Sequence, residues 1–588
     1  PEPIDDPEPL VEDGEQISNV GMLVSRISGY GRPAHEIWLP PLDEAPSLDQ
    51  LVPRSILTGE YNSVASLRAP IGIVDRPYDQ RRDPLVVDMS GSRGNVAVVG
   101  GPQSGKSTML RSLIMSMSLT HTAEQVQFYC LDFGGGTLAT LSGLPHVGSV
   151  ANRLDADRVN RTIAEVNALI ADRERRFAKL GVDGMAAYRR RRGDDPYGDV
   201  FLVVDGWFTL RQEFEGLDDS IRRIASRGLN YGVHLLLTAS RWSEVHHGMR
   251  DQIGTRLELR LGDPVDSTID LRVAATVPQV PGRGLTAEKG HFLAGLPRVD
   301  GVPDGVSAAD GSRHLVAAVR EFWDGPGAPA VRTLPAVLQA VELPAAEGDL
   351  RVAVGLSEER MQPVWHDFAE LPHLTVVGDR ESGKTNLLRH VAQAVTSRFT
   401  PKEARIMAVD FRRRLFDVVP EPYRLGHSIS IDATKRTVAQ AVEGFRSRMP
   451  GPDITPEQLR RRDWWSGPRL YVLVDDYDLL GGHESPLLPL IPFLAQGADV
   501  GFHMVLTRGA AGAMRMSMDP LIRRLQEANS PDLVLSCPPS AGQMTGGVKP
   551  RVLPPGRALL CTRRGATLVQ TPYVEPEPSV GPLSRGDS

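Results

Sequence analysis

The sequence predicts an α/β protein made of two tandem modules, each a doubly wound, mostly parallel sheet with helices on both faces. Two observations carry this. Four short apolar landmarks occur twice, in the same order and at nearly constant separation, and within each copy strand-like runs alternate with stretches of helical periodicity. Self-similarity of this kind marks a repeated structural unit, and strand–helix alternation marks a parallel sheet. A third observation removes other classes. The 588 residues are 41% hydrophobic and 24% charged, which is ordinary globular composition. The 57 Gly and 47 Pro exceed the roughly 12 per cent typical of soluble chains, so turns and connectors are abundant, but there is no collagen-like period.

Residues 1–36 open acidic and lack clear periodicity, so a partly ordered linker is expected there. It ends in an apolar clip, Ile37-Trp38-Leu39-Pro40-Pro41-Leu42, expected to dock on the first module. The first landmark is Val96-Ala97-Val98-Val99, a β-branched run of the sort that is buried on both faces of a sheet. A glycine-rich loop and a helical run over 109–117 follow it. Next come Phe128-Tyr129-Cys130-Leu131-Asp132-Phe133, a helical stretch over 158–177, then Val200-Phe201-Leu202-Val203-Val204-Asp205, and Gly232-Val233-His234-Leu235-Leu236-Leu237-Thr238.

The second copy answers each in turn: Thr375-Val376-Val377 with its loop and a helical run over 387–395, Ile406-Met407-Ala408-Val409-Asp410-Phe411, a helix over 434–448, Leu470-Tyr471-Val472-Leu473-Val474-Asp475, and Gly501-Phe502-His503-Met504-Val505-Leu506-Thr507. The interval from Lys106 to Lys384 equals that from Asp132 to Asp410, and the later pairs differ from it by fewer than ten residues. The expected organisation is a linker with docking clip over 1–60, a module over 61–320, a connector over 321–344 centred on 325–330, a second module over 345–575, and a frayed tail over 576–588. Thr333-Leu334-Pro335 is a weaker echo of the clip.

Lys plus Arg number 66 against 73 Asp plus Glu, a formal net charge of −7. No polycationic field is available for bulk binding to nucleic acid or an anionic membrane, and the Arg189–Arg192 run reads as a solvated helix end. Cys130, Cys537 and Cys561 form no CxxC pair, so neither a zinc knuckle nor a disulfide framework is indicated, and a reducing cytosol fits best. No apolar run approaches the roughly 18 residues that span a bilayer. The chain begins at Pro1 without an initiator Met, so it is expected to be a piece of a longer protein with any membrane anchor upstream.

The chemistry lies in two loops. Gly100-Gly101-Pro102-Gln103-Ser104-Gly105-Lys106-Ser107 and Gly378-Asp379-Arg380-Glu381-Ser382-Gly383-Lys384-Thr385 both read G-x-x-x-x-G-K-[ST]. Each sits between an apolar strand and a helix, the context in which backbone N–H groups and a helix N-terminus converge on phosphate. Lys106 and Lys384 should reach the β and γ phosphates of ATP, with Ser107 and Thr385 as Mg2+ ligands and Thr108 and Asn386 completing the two loops. Asp205 and Asp475, each ending a later apolar strand, should hold the metal through water. A Glu that polarises the attacking water often follows such an Asp; here Gly206 and Asp476 stand instead, so module one should bind nucleotide and hydrolyse it slowly. Asp476 is a shorter substitute, or a solvated strand-end charge.

Other candidates are weaker. Asp132 and Asp410 are either polar supports near the γ phosphate or turn caps. Thr238 and Thr507 are γ-phosphate sensors or ordinary strand-end polarity. Arg227 is either a finger onto a neighbouring nucleotide or a surface arginine, and Gln496 stands at its place in module two. Trp464-Trp465 either pack at a core edge or stack on a ligand. His146, His234 and His503 show no metal-ligand spacing.

At these residues the chain resembles the FtsK/SpoIIIE class of hexameric P-loop motors, whose fold is RecA-like. Leu144-Pro145-His146-Val147, Arg173-Glu174-Arg175-Arg176 and Gly232-Val233-His234-Leu235 with Thr238 look like motifs of that class. Two tandem modules, the Trp38–Leu42 clip and Trp464-Trp465-Ser466-Gly467 are similar to the EccC ATPases of actinobacterial type VII secretion, over roughly residues 35–575. The resemblance implies a middle and a last ATPase module downstream of a membrane-anchored one. It also implies a place at the cytoplasmic face of the membrane, helical-hairpin substrates recognised by a C-terminal signal, other secretion-complex partners, and hexamers in the active state. A DNA translocase and a nucleotide-gated docking scaffold are the alternatives; the charge balance argues against the first.

Overall fold

The computed structural model describes residues 18–31, 39–52, 66–191, 193–461, 463–480, 484–510 and 519–575, with a few isolated positions before residue 66. Ile37 and Trp38 of the clip, Arg192, the tail over 576–588 and much of the N-terminal segment lie outside them. A helix not read from the sequence covers Asn19–Ile27. The chain divides into two compact units that meet in the sequence at Ala330 and Val331.

Unit one is built on a ten-stranded sheet. Its strands in chain order are β1 (Arg68–Arg76), β2 (Arg81–Asp88), β3 (Val96–Val99), β4 (Val126–Asp132), β5 (Val147–Asn152), β6 (Asp199–Asp205), β7 (Val233–Ala239), β8 (Thr255–Leu259), β9 (Arg283–Leu285) and β10 (His291–Ala294). Their spatial order is β2-β1-β10-β9-β8-β3-β7-β6-β4-β5. The six strands from β8 to β5 run parallel, and the other four extend the sheet antiparallel.

Unit two repeats this with β11 (Arg351–Ser357), β12 (Pro363–Asp367), β13 (His373–Val377), β14 (Ala404–Val409), β15 (Arg424–Ser428), β16 (Arg469–Val474), β17 (Phe502–Arg508), β18 (Asp532–Val534), β19 (Arg557–Thr562) and β20 (Gly565–Gln570). Its order, β12-β11-β20-β19-β18-β13-β17-β16-β14-β15, is the same one strand for strand. The α/β, doubly wound class therefore holds, with an antiparallel extension on one side of each sheet that the landmarks did not reveal.

The physical reason is burial. Every residue of β4, β6 and β7 is buried, because helices cover both faces, and such strands read as unbroken apolar runs. The in–out burial of β1 is broken at a bulge between Pro70 and Gly72 and β9 has only three residues, which leaves little periodicity to read. Each fully buried Val or Leu of β6 contributes about 1.5–3 kcal/mol by leaving water, so Val203→Asp would break the sheet.

Helix α1 (Lys106–Thr120) is buried continuously from Met109 to Thr120, as befits a helix enclosed by the sheet and its neighbours. Helix α2 (Ala156–Leu180) begins where the Asp155 side chain accepts from Arg158 N–H and ends at Gly181 in the left-handed region, a start and stop signal of the usual kind. Arg173 on α2 is fully buried and donates to Asp195, Tyr231, Tyr197 and Gly198. It therefore ties the helix to the edges of β6 and β7. In unit two, α3 (Lys384–Arg398) and α4 (Ile431–Arg448) occupy the corresponding chain positions.

The described part of the clip packs on unit one: Leu42 is buried, its carbonyl accepts from Arg283 at 2.7 Å, and Pro40 accepts from Arg82. Its echo does the same in unit two, where Leu334 is buried and its carbonyl accepts from Arg557 at 3.4 Å. Among the described residues no helix is long and apolar enough to cross a membrane.

Two candidate nucleotide sites

Both lysine loops lie at the carboxyl ends of central parallel strands, β3 and β13, where doubly wound sheets bind ligands. Gly105 and Gly383 precede their helices at φ +100° and +114°, and Gln103 and Glu381 also take left-handed backbone, at +57° and +61°. This shared bend wraps each loop around its lysine. Lys106 Nζ donates to the carbonyls of Gly100 and Gly101, both at 2.8 Å, and Lys384 Nζ to those of Gly378 and Asp379, at 2.9 and 2.7 Å. Burial pushes the Lys106 ammonium below its ordinary range, while the charges of Asp205 and Glu244 oppose that shift. Ser104 and Ser382 are buried inside the loops, whereas Pro102, Gln103, Arg380 and Glu381 face outward. Ser382 donates to the Asp379 carbonyl.

The strand-end acids face these loops. Asp205 Oδ1 accepts from Thr238 at 2.6 Å, and Gly206 N–H donates to the same threonine oxygen at 2.8 Å. Asp475 Oδ1 accepts from Thr507 at 2.9 Å, with Asp476 N–H on Thr507 at 2.9 Å. In unit two Thr385 donates to both oxygens of Asp475, at 3.1 and 3.0 Å. Burial raises the pKa of Asp205, and burial raises that of Asp475 with help from the nearby charges of Asp476 and Asp410. Thr238 and Thr507 are thus braces for the acids. A hard cation with oxygen ligands suits this donor set: a hydroxyl and a buried carboxylate meet in each unit, and Asp205 Oδ2 is buried with no hydrogen-bond partner among the described residues.

Several expected residues hold partners within the chain. Asp132 caps the turn after β4, accepting from Gly134, Gly136 and Leu138 N–H, so the capping alternative is the one the structure adopts. Asp410 accepts from Leu415 N–H and lies 3.4 Å from His427. Beside the loops, Thr108 accepts from Arg111, and Asn386 bridges Pro572 O and Val574 N–H. Arg227 pairs with Glu174 on an exposed surface. Trp464 and Trp465 donate to the carbonyls of Arg448 and Asp499, and Arg448 lies over the Trp465 ring. Arg189 pairs with Asp199.

The two units differ after the acid. Gly206 has φ +88°, and a Cβ there would come within 2.9 Å of the Phe133 carbonyl carbon. Asp476 adopts left-handed backbone too, at φ +49°, and its carboxylate lies 3.1 Å from Arg412. Three polar groups near the loops were not singled out from the sequence: Glu244, Asp478 and Arg412. The repeat held a signal for the last, since Arg412 stands where module one has Gly134, just as Asp476 stands for Gly206. In unit one, Gly101 and Pro102 open onto a cavity of about 520 Å3 lined also by Phe208, Arg211, Ser240 and Glu244.

The chain matches the FtsK/SpoIIIE family over residues 60–300 and 334–449. It is 47% identical to the ESX secretion system protein EccC of Thermomonospora curvata over 98% of its own length, spanning 45% of that protein. It thus spans about half the length of such relatives. It is also 39% identical to EccCb1 of Mycolicibacterium smegmatis, covering 96% of this chain and 98% of that one. Among solved structures, the cytoplasmic domain of the Thermomonospora curvata type VII secretion ATPase EccC superposes with a TM-score of 0.86 at 47% identity, covering 97% of this chain and 68% of that one. A Thermomonospora curvata EccC structure described as ATPases 2 and 3 in complex with a signal sequence peptide gives 0.83 at 48% identity, covering 92% of this chain and all of that one. With two lysine loops on sheets of one topology and kinship at this level over almost every residue, the chain belongs to the FtsK/SpoIIIE family and, within it, to the EccC proteins of ESX secretion.

Proposed function

We propose that the chain is the ATP-binding motor segment of a type VII secretion ATPase, with modules over 61–320 and 345–575 that couple ATP binding and slow hydrolysis to the export of substrate proteins. The observation that carries this is the paired site: in each unit a loop lysine, a buried strand-end acid and a bracing threonine converge in the same geometry. The backbone N–H groups at the helix starts, residues 105–107 and 383–385, cradle the phosphates, and Lys106 and Lys384 neutralise their charge. Ser107 with Asp205, and Thr385 with Asp475, would hold Mg2+, which supplies charge neutralisation at the β and γ phosphates.

A signal sequence peptide is named with the relative's paired modules, and this supports a substrate whose C-terminal signal docks on the last module. The upstream partner is a membrane-anchored ATPase module, the working site is the cytoplasmic face of the membrane, and the active assembly is a hexamer. Gly206 favours a second reading for module one, a nucleotide-gated scaffold that binds without turnover. The deciding experiment measures ATP turnover with a substrate carrying its C-terminal signal and, in parallel, with duplex DNA. Stimulation by the substrate alone supports the secretion reading; stimulation by DNA with a steep salt dependence overturns it.

A further inference from the structure

The backbone leaves no room for an acid at Gly206, yet an acid reaches the same end of the sheet. β7 ends at Ala239, and the N–H of the next residue, Ser240, donates to Glu244 Oε2 at 2.9 Å. The Glu244 carbonyl accepts from Trp207 Nε1 at 3.2 Å and Arg211 Nη1 at 3.0 Å, so the turn carrying Glu244 is fastened to the residue that follows Gly206. Glu244 shares the 520 Å3 cavity with Gly101 and Pro102 of the phosphate loop, and its charge acts on Lys106.

Unit two places an acid at the equivalent point by another route. β17 ends at Arg508, and the N–H of the next residue, Gly509, donates to Asp478 Oδ2 at 2.5 Å. Asp478 sits on the turn after Asp475 and Asp476, and the charges of Arg508 and Lys384 act on it. By the repeat interval Glu244 corresponds to Ala513 and Asp478 to Phe208, so neither acid is copied in sequence. Two unrelated segments thus bring a carboxylate to the equivalent backbone N–H at the end of the threonine strand, from where its charge is felt at the loop lysine. A mere turn cap gives no reason for that coincidence.

We propose that Glu244 in unit one and Asp478 in unit two are the carboxylates that orient the attacking water in ATP hydrolysis, in place of the acid that would follow the strand-end aspartate. This rests on the nucleotide reading above. The water oxygen bonds to the γ phosphorus, and the bond from that phosphorus to the β,γ-bridging oxygen breaks, its electron pair leaving on ADP. The water proton passes to the carboxylate and from there to the released phosphate. Burial holds the Asp478 carboxyl above its ordinary range, which suits a proton acceptor. Asp476, by contrast, faces Arg412.

The test is single-turnover phosphate release by the whole chain, with Lys384→Ala isolating unit one and Lys106→Ala isolating unit two, and fluorescent MgATP binding measured in parallel. Glu244→Gln in the first background and Asp478→Asn in the second should each slow release about a hundredfold. Affinity should stay within about threefold, and in unit two the acid limb of the pH–rate profile should vanish. Absence of MgATP binding in the isolating backgrounds counts against the nucleotide reading itself. Intact binding without turnover, turnover that these substitutions leave unchanged, or a hundredfold loss in Asp476→Asn but not in Asp478→Asn overturns the assignment alone.

Discussion

The two units share a sheet order, a lysine folded onto its own loop and an acid braced by threonine, yet they part company one residue after that acid. Unit one has Gly206 facing the Phe133–Gly134 backbone, and unit two has Asp476 facing Arg412. Both positions take left-handed backbone, at φ +88° and +49°. The common constraint is therefore the turn, while the side chain is free to diverge. The lysine loop, the strand-end acid and its threonine keep one geometry in both units, and the units diverge only after that acid.

The comparison breaks first if the loops are not equivalent. Lys106→Ala and Lys384→Ala should each weaken ATP binding at their own unit about 10- to 100-fold, the scale of lost charge-assisted hydrogen bonds, without unfolding it. Calorimetry on the two variants should find one strong site in each; two strong sites in either variant would sink that unit's assignment. Copying the acid across should be the next largest effect. Gly206→Asp puts a Cβ 2.9 Å from a backbone carbon and should cost about 2–3 kcal/mol of stability in unit one, read as a lower urea midpoint.

A third test concerns the price of keeping the acids buried. Burial raises the folded-state pKa of Asp205, so the folded chain binds that proton more tightly than the unfolded one. Stability from this group is present in full below the unfolded carboxyl range and is lost as pH rises through the raised folded value. At neutral pH the ionised Asp205 is therefore a burden, and Asp205→Asn should raise the Tm of the nucleotide-free chain by up to a few degrees. The gain should shrink on acidification, and MgATP affinity should fall. Asp475→Asn should behave alike. A lower Tm at pH 7 would show that the Thr238 contact outweighs the desolvation.

Most of what repeats was legible. β3, β4, β6 and β7 and their partners are buried runs that announce themselves, and the lysine loops carry a spacing that few other structures need. The antiparallel strands were not legible, because β9 and β18 have three residues each and make sense only once their neighbours are in place. Leu334 was legible as an echo of the clip, whereas its tie to Arg557, matching that of Leu42 to Arg283, needed the fold. Glu244 and Asp478 were invisible for a sharper reason: they occupy one place in space from unrelated places in the sequence, so no repeat interval links them.

The smallest expected effect is the most discriminating. Asp476→Gly reverses the exchange made in Gly206→Asp, and the two should be far from symmetrical. Removing Asp476 relieves a left-handed non-glycine residue, a strain of about 1 kcal/mol, and gives up an ion pair with Arg412 whose side chains are 20% and 41% exposed. Exposed pairs of that kind contribute about 0–1 kcal/mol. The two terms nearly offset, so unit two should keep its urea midpoint to within about 1 kcal/mol, and Arg412→Ala alone should cost no more than that. A loss above about 2 kcal/mol in either variant would mean that the Arg412–Asp476 pair organises the mouth of the site. The aspartate would then be kept for structure, and the two units would differ in architecture as well as in the source of their acids.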